Sequence, residues 1–151
     1  MPIGIAAPQP SGIPGFNLAG MYVTAGMTAG IVNARPLPGW YNILRSVPVA
    51  NGPVTLPPAT CGGQEVVVWN YSNYIDPLTG VAPGVSNTAV VFGNVNPFGA
   101  QDTIAAATGG TQVTTGVAVA PNAMVLFYVM RPQAGFTNAW LPGQWQFKIL
   151  A

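Results

Sequence analysis

Apolar and β-branched residues occur in short runs through the second half of the chain, and Gly, Pro and Asn residues separate the runs. The run EVVVWNY at residues 65–71 has the β-branched and aromatic composition of a largely buried strand. At residues 144–149 polar and apolar residues alternate, which places Trp145, Phe147 and Ile149 on one face of a strand. Both patterns predict β structure.

Other runs of the same kind predict further strands at residues 88–92, 112–119 and 124–130. Clusters of Gly, Pro and Asn, which favour turns, lie between these runs. Short strands at this spacing predict an all-β fold: one antiparallel β-sandwich or jelly-roll-like domain over residues 49–151.

Residues 1–48 have a different composition, because ten of the sixteen prolines lie in the first 58 residues. They predict an extended N-terminal arm with one or two short strands, near residues 21–24 and 40–44. Residues 1–20 have no helical or strand period, and their prolines favour a polyproline-like backbone. The arm either binds a partner or folds back on its own domain. The residues predicted to contact a partner are Ile3, Ile5, Ile13, Phe16, Leu18 and Trp40.

Charged residues make up only 5% of the chain, with a net charge of +1, against about 25% in ordinary soluble domains. A monomer with so few charges repels its copies weakly and tends to associate. We therefore expect partners, including copies of the chain itself, to cover much of the surface. The alternative is a neutral protein that Asn, Gln, Thr and Ser keep soluble. Four scattered cations cannot form the basic footprint that nucleic-acid binding requires.

Targeting signals are not recognisable in this sequence. No apolar run approaches 18 residues, so no membrane-spanning helix is expected. The N-terminus lacks the basic region and apolar stretch of a secretory signal peptide. The single cysteine, Cys61, cannot form an intrachain disulfide and is expected to be a small, half-buried thiol.

Candidate catalytic groups are few, because histidine is absent and the acids are Glu65, Asp76 and Asp102. A Cys–His pair and a Cys/His metal site are excluded by composition. A glycosidase or other cell-wall hydrolase would need two of the three acids to face each other. A calcium site built from Asp76, Asp102 and carbonyl groups is a further alternative. We expect instead that Asp102 bonds nearby backbone amides and that the chain has no enzymatic activity and no cofactor.

The four tryptophans offer a second functional class. Trp69 and Trp145 lie in strand patterns and are expected in the core. Trp40 and Trp140 lie in loops flanked by proline, where they could contact protein or stack on sugars.

Several short motifs occur in a fixed order. They are VTLPPATCGG, VVVWN, VFGN, DTI, VAPNA and GQW, at residues 54–63, 66–70, 91–94, 102–104, 119–123 and 143–145. This order resembles a small β-sandwich module of tailed-phage virion proteins, found in head decoration (cement) and head-fibre proteins. In that module a V-x-L-P-x-A turn precedes a Val-rich strand ending in Asn. An Asp-Thr-Ile turn follows, and a later strand leads to a G-x-W close.

The resemblance covers roughly residues 49–150 and has two departures. The module usually continues Ile-Asn-Gly where residues 104–106 read Ile-Ala-Ala, and its link is shorter than residues 72–87. Residues 1–48 have no counterpart in it.

The resemblance implies a structural protein on the outer surface of the virion, often a trimer at a local threefold axis of the capsid. We therefore expect a decoration protein, made in the host cytoplasm, that binds the major capsid protein and stabilises the phage head. The alternative is a tail or fibre component that binds host-surface glycans.

Overall fold

The computed structural model describes residues 20–23, 28, 30–37, 39–45, 47–71, 86–136 and 139–151. These residues form β-strands and a 3₁₀ turn at Ile31–Asn33, without an α-helix. The strands are β1 (Gly20–Val23), β2 (Arg35–Pro36), β3 (Tyr41–Arg45), β4 (Gly52–Thr55), β5 (Glu65–Tyr71), β6 (Ala89–Phe92), β7 (Thr103–Ala106), β8 (Val117–Val119), β9 (Met124–Arg131), β10 (Ala134–Phe136), β11 (Ala139–Leu141) and β12 (Gln144–Ile149). The predicted all-β class is confirmed.

The strands form two principal sheets and a small hairpin. The large sheet has the order β1-β3-β5-β9-β12-β7, and the small sheet has the order β2-β4-β6-β8. Strands β10 and β11 pair with each other. Side chains from the inner faces of both sheets meet in one apolar core, in which Phe127 and Trp145 are the largest fully buried side chains.

Both sheets are mixed, so the predicted antiparallel arrangement is wrong. In the large sheet β1, β3 and β5 run parallel, as do β12 and β7, whereas β9 runs antiparallel to β5 and β12. In the small sheet β2, β4 and β6 run parallel and β8 opposes β6. The reason is that the chain changes sheet after every strand from β1 to β9. Up to β9, neighbours within a sheet are therefore joined through a strand of the other sheet rather than by hairpins.

Strand β5 shows how alternation selects the core. Val66, Val68 and Asn70 are buried, while Trp69 is only half-buried on the opposite, outer face. The prediction that Trp69 lies in the core is therefore wrong. Alternate residues of a strand point to opposite faces, and in β5 the inward positions are those of Val66, Val68 and Asn70.

Strand β12 confirms the predicted face only near its start. Trp145 is fully buried beside Val129, and Phe147 is half-buried. Ile149 shares this face but is 64% exposed, and at this residue β12 has passed the end of its neighbour β7.

The N-terminal segment contributes to the same two sheets. Strands β1 and β3 extend the large sheet, and β2 extends the small one. Leu37, Leu44 and Val47 are buried in the common core. The predicted boundary at residue 48 stays a prediction, as does the arm itself, because residues 1–19 lie outside the described residues.

Candidate functional site

The carboxylate of Asp102 is the centre of a buried polar cluster. The side chain is fully buried, immediately before β7. Its Oδ1 accepts hydrogen bonds from the backbone N–H of Gly143 (2.7 Å) and from Nε2 of Gln133 (2.9 Å), and its Oδ2 accepts one from the N–H of Ala59 (3.1 Å). These donors lie 31–43 residues from Asp102. The expectation that Asp102 bonds nearby amides is therefore wrong.

Two glycines allow the backbone to approach this cluster closely. A methyl group on Gly143 would overlap the Ala59 methyl and lie 3.2 Å from Asp102 Oδ1. A methyl group on Gly93 would overlap the backbone carbonyl of Asp102, whose N–H donates to Asn94 O at 2.8 Å. Small residues are thus a steric requirement at both positions.

Asn70 forms a second buried cluster. Its Nδ2 donates to the carbonyls of Asn87 (2.8 Å) and Val119 (3.0 Å), and its Oδ1 accepts from the Ser86 hydroxyl (2.6 Å). Ser86 Oγ in turn accepts from the N–H of Val47 at 2.6 Å. Both N–H donors and the oxygen of this fully buried amide are therefore hydrogen-bonded.

The register places the two clusters at opposite ends of the large sheet. Glu65 at the start of β5 faces Tyr128 near the end of β9, whereas Trp69 faces Met124 at the start of β9. Asp102 is joined to Gln133, just beyond the end of β9, and Asn70 lies beside Trp69. At each end of the large sheet, a buried polar side chain therefore hydrogen-bonds several segments of the chain.

The contacts of Asp102 limit the chemistry that the acidic residues can perform. Both oxygens of Asp102 face N–H donors and are shut off from solvent, so they cannot coordinate a cation or act on a substrate in this arrangement. Glu65 is exposed at the start of β5, and Asp76 lies outside the described residues. Within the described ranges, no three Asp, Glu, Cys or His side chains cluster as metal ligands.

Cys61 is exposed in a turn before β5. The expectation of a half-buried thiol is wrong, because Thr60 and Gln64 turn the chain outward: Gln64 Oε1 accepts from both the N–H (3.0 Å) and the hydroxyl (3.1 Å) of Thr60.

Of the predicted partner-binding residues, Trp40 is the one that lies within the described ranges. Trp40 is half-buried in the turn that leads into β3, and its carbonyl accepts from the N–H of Val67 at 2.7 Å. The rest of that predicted set falls outside the described residues: Ile3, Ile5, Ile13, Phe16 and Leu18. Trp140 lies in β11, and its side chain is likewise not described.

The outer face of the large sheet carries apolar and aromatic side chains that sequence reasoning did not group. We call it the aromatic face. The rings of Trp69 and Tyr71 are 4.6 Å apart, and the Tyr128 hydroxyl donates to Gln146 Oε1 at 2.9 Å. Its half-buried members are Tyr41, Ile43, Val67, Trp69, Tyr71, Met124, Leu126 and Tyr128.

Charge is sparse on the aromatic face. Among the described side chains of β5, β9 and β12, the charged ones are Glu65, Arg131 and Lys148, and all three are exposed. The register places Glu65 at the start of β5 and Lys148 two strands away, opposite Leu126. The period-2 pattern of β5 and β9 could have indicated this face, but only once their partners were known.

A shallow pocket of about 400 Å³ lies on the outer face of the small sheet. Val90 and Phe92 of β6 line it, together with Gly30, Asn51, Thr115, Gly116 and Ala118. We call it the β6 pocket. No sequence pattern predicts this pocket, because its lining comes from segments more than twenty residues apart.

Comparison with protein-family models, curated proteins and solved structures finds no match to this chain. In the described part of the chain, no helix has the length and apolarity needed to cross a membrane.

Proposed function

We propose that this chain is a decoration protein of a tailed-phage head. It binds the major capsid protein on the outer surface of the virion as a homo-oligomer, expected to be a trimer, and stabilises the shell. In this proposal residues 1–19 form an extended arm that crosses the capsid protein or a sister subunit. The proposal rests on the motif order described above and on the nature of the surface.

The aromatic face is the observation that carries the proposal. Monomeric soluble proteins rarely expose a continuous apolar patch of more than a few hundred Å². Here four aromatic and four other apolar side chains from strands β3, β5 and β9 lie on one face, and the charged side chains described beside them are exposed. Covering such a face stabilises an assembly by about 25 cal/mol per Å² before the cost of association.

The two buried clusters fit the same role. Asp102 and Asn70 fix the ends of the large sheet, so the aromatic face is presented on a rigid support. A rigid surface loses little conformational entropy when it binds, which favours a structural contact. The described acids, Glu65 and Asp102, do not form the facing pair that a hydrolase would require.

The arm is tested by deleting residues 2–19, which leaves β1 intact. DNA-free heads stripped of the protein are mixed with the full or truncated chain and sedimented. We expect the truncated chain to lose most head binding while its circular dichroism and tryptophan fluorescence stay unchanged. Unchanged affinity of the truncated chain would show that the arm is not the capsid contact.

The aromatic face is tested separately with Leu126→Glu, a charge placed in its centre. The matched control is Val32→Glu, at a residue that is 90% exposed in the 3₁₀ turn and outside this face. We expect Leu126→Glu to reduce head binding or self-association at least tenfold and Val32→Glu to leave both unchanged. Equal behaviour of the two variants would contradict a covered aromatic face.

A further inference from the structure

The floor of the β6 pocket is the ring of Phe92, which packs against the backbone of Gly116. Val90 and Phe92 point outward from β6, and Ala118 points outward from the neighbouring β8. A methyl group on Gly116 would lie 2.6 Å from Val90 Cγ1 and 2.9 Å from the Phe92 ring. Because Gly116 has no side chain and a φ of +89°, the ring occupies the space above it. The result is a half-exposed aromatic surface at the bottom of a depression.

Polar groups stand at the rim of this pocket. Asn51 is exposed at one side, in the left-handed conformation with a φ of 56°. Thr115, which is also exposed, lines the pocket too. An amide and a hydroxyl can each donate and accept hydrogen bonds. The pocket therefore combines an apolar floor with a rim that can bond alcohol groups.

The lining also restricts the ligand by charge and size. None of the described lining residues is acidic or basic, so an anionic or cationic ligand would lose hydration there without gaining a counter-charge. A volume of about 400 Å³ is near the lower end of the roughly 300–1,000 Å³ typical of ligand pockets. It suits one ring with a flat apolar side and several hydroxyl groups.

We propose that the β6 pocket binds a neutral sugar ring, stacked on Phe92 and hydrogen-bonded by Asn51 and Thr115. This activity goes beyond the capsid role: it would give the particle a weak affinity for glycans on the outward side of the small sheet. An open pocket with two polar side chains should bind a monosaccharide with a Kd of roughly 1–10 mM. Many copies on one particle would raise the overall affinity.

The test uses the full chain, isotope-labelled, titrated with glucose, galactose, mannose and N-acetylglucosamine and followed by nuclear magnetic resonance. We expect saturable amide shifts at Phe92, Gly116 and Ala118 for at least one neutral sugar. The anionic sugars glucose 6-phosphate and sialic acid should cause no saturable shift. A peptide of residues 1–19 is titrated in parallel, and saturable binding of that peptide in place of any sugar would overturn the proposal.

Two variants remove the polar groups without disturbing the backbone. Asn51→Gly suits the left-handed conformation, and Thr115→Val keeps the side-chain shape. Loss of one hydrogen bond should weaken sugar binding by roughly two- to tenfold in each. The controls are Asn122→Gly, also left-handed at φ 66°, and Thr114→Val, the exposed neighbour of Thr115.

The outcomes separate this proposal from the capsid role. Sugar shifts that weaken in both pocket variants and persist in both controls support the site. Absence of any neutral-sugar shift at a sugar concentration roughly tenfold above the weakest expected Kd, or equal affinity in all variants, overturns it. Head binding is measured on the same proteins, and we expect Asn51→Gly and Thr115→Val to bind heads as the unaltered chain does.

Discussion

Replacing Asp102 by Asn tests whether the buried cluster holds the fold together. The substitution keeps the size and shape of the side chain and removes its charge. In the native cluster three N–H donors point at two oxygens that only accept, at 2.7, 2.9 and 3.1 Å. An amide supplies one oxygen and one NH₂ group, so it cannot accept from both sides.

The least costly arrangement of Asn at position 102 keeps its oxygen towards Gly143 and Gln133. The NH₂ group then faces the N–H of Ala59, which loses its acceptor in a buried place. An unpaired buried donor costs about 1–3 kcal/mol. The two remaining bonds change from charge-assisted to neutral, at about 1 kcal/mol each. Relief from burying a charge offsets part of this, so we expect a net loss of about 2–4 kcal/mol.

The assay is urea unfolding followed by tryptophan fluorescence, since Trp145 is fully buried. A fall in the midpoint at constant slope measures the lost stability. Glu65→Gln is the matched control, because it makes the same chemical change at an exposed acid and should stay within about 0.5 kcal/mol. If Asp102→Asn is as stable as Glu65→Gln, the cluster does not hold the fold as described.

Three further predictions follow from the described geometry. Gly143→Ala should lower the free energy of unfolding by about 1–3 kcal/mol, because the new methyl group overlaps Ala59, whereas Gly62→Ala has no atom within 4 Å of its methyl group and should be near neutral. Thermal unfolding compares the two, and equal melting temperatures would contradict the close approach. Asn70→Ala should cost about 3 kcal/mol or more, because Val119 and Ser86 lose a buried hydrogen bond and Asn87 loses a part-buried one. Urea unfolding measures the loss, and a value under about 1 kcal/mol would refute the role. Cys61 should react with a thiol reagent at full stoichiometry in the folded protein, and protection until unfolding would contradict its exposure.

The strands were predictable from sequence because their composition decides them locally. Residues 65–71 and 124–130 were predicted as strands within one residue of β5 and β9, since β-branched runs between turn residues leave few alternatives. The short strands β4 and β7 were missed, because Gly52-Pro53 and Asp102-Thr103 are typical of turns.

The direction of pairing was not predictable, because it depends on which sheet each strand joins. A connection of about ten residues can close a hairpin or cross to the other layer, and composition does not distinguish the two. The β6 pocket and the aromatic face depend on that choice. Val90 faces Ala118, and Val67 faces Leu126, only through pairings that the order of the sequence does not reveal.

The two buried clusters explain how a chain with seven charged residues can specify this alternating order. Every crossing between sheets exposes backbone groups that must find partners as the chain leaves a strand. The Asp102 cluster joins the segment after β4, through Ala59, to the segment after β9, through Gln133, and to the turn before β12, through Gly143.

At the other end, Asn70 joins the segment before β6 to the end of β8, through Asn87 and Val119. Ser86 extends this cluster to Val47, in the crossing from β3 to β4. The polar side chains that select this fold are therefore inside it, where each satisfies groups from several crossings at once. Surface charge is not needed for that selection, which leaves the outer faces free to be apolar and to bind partners.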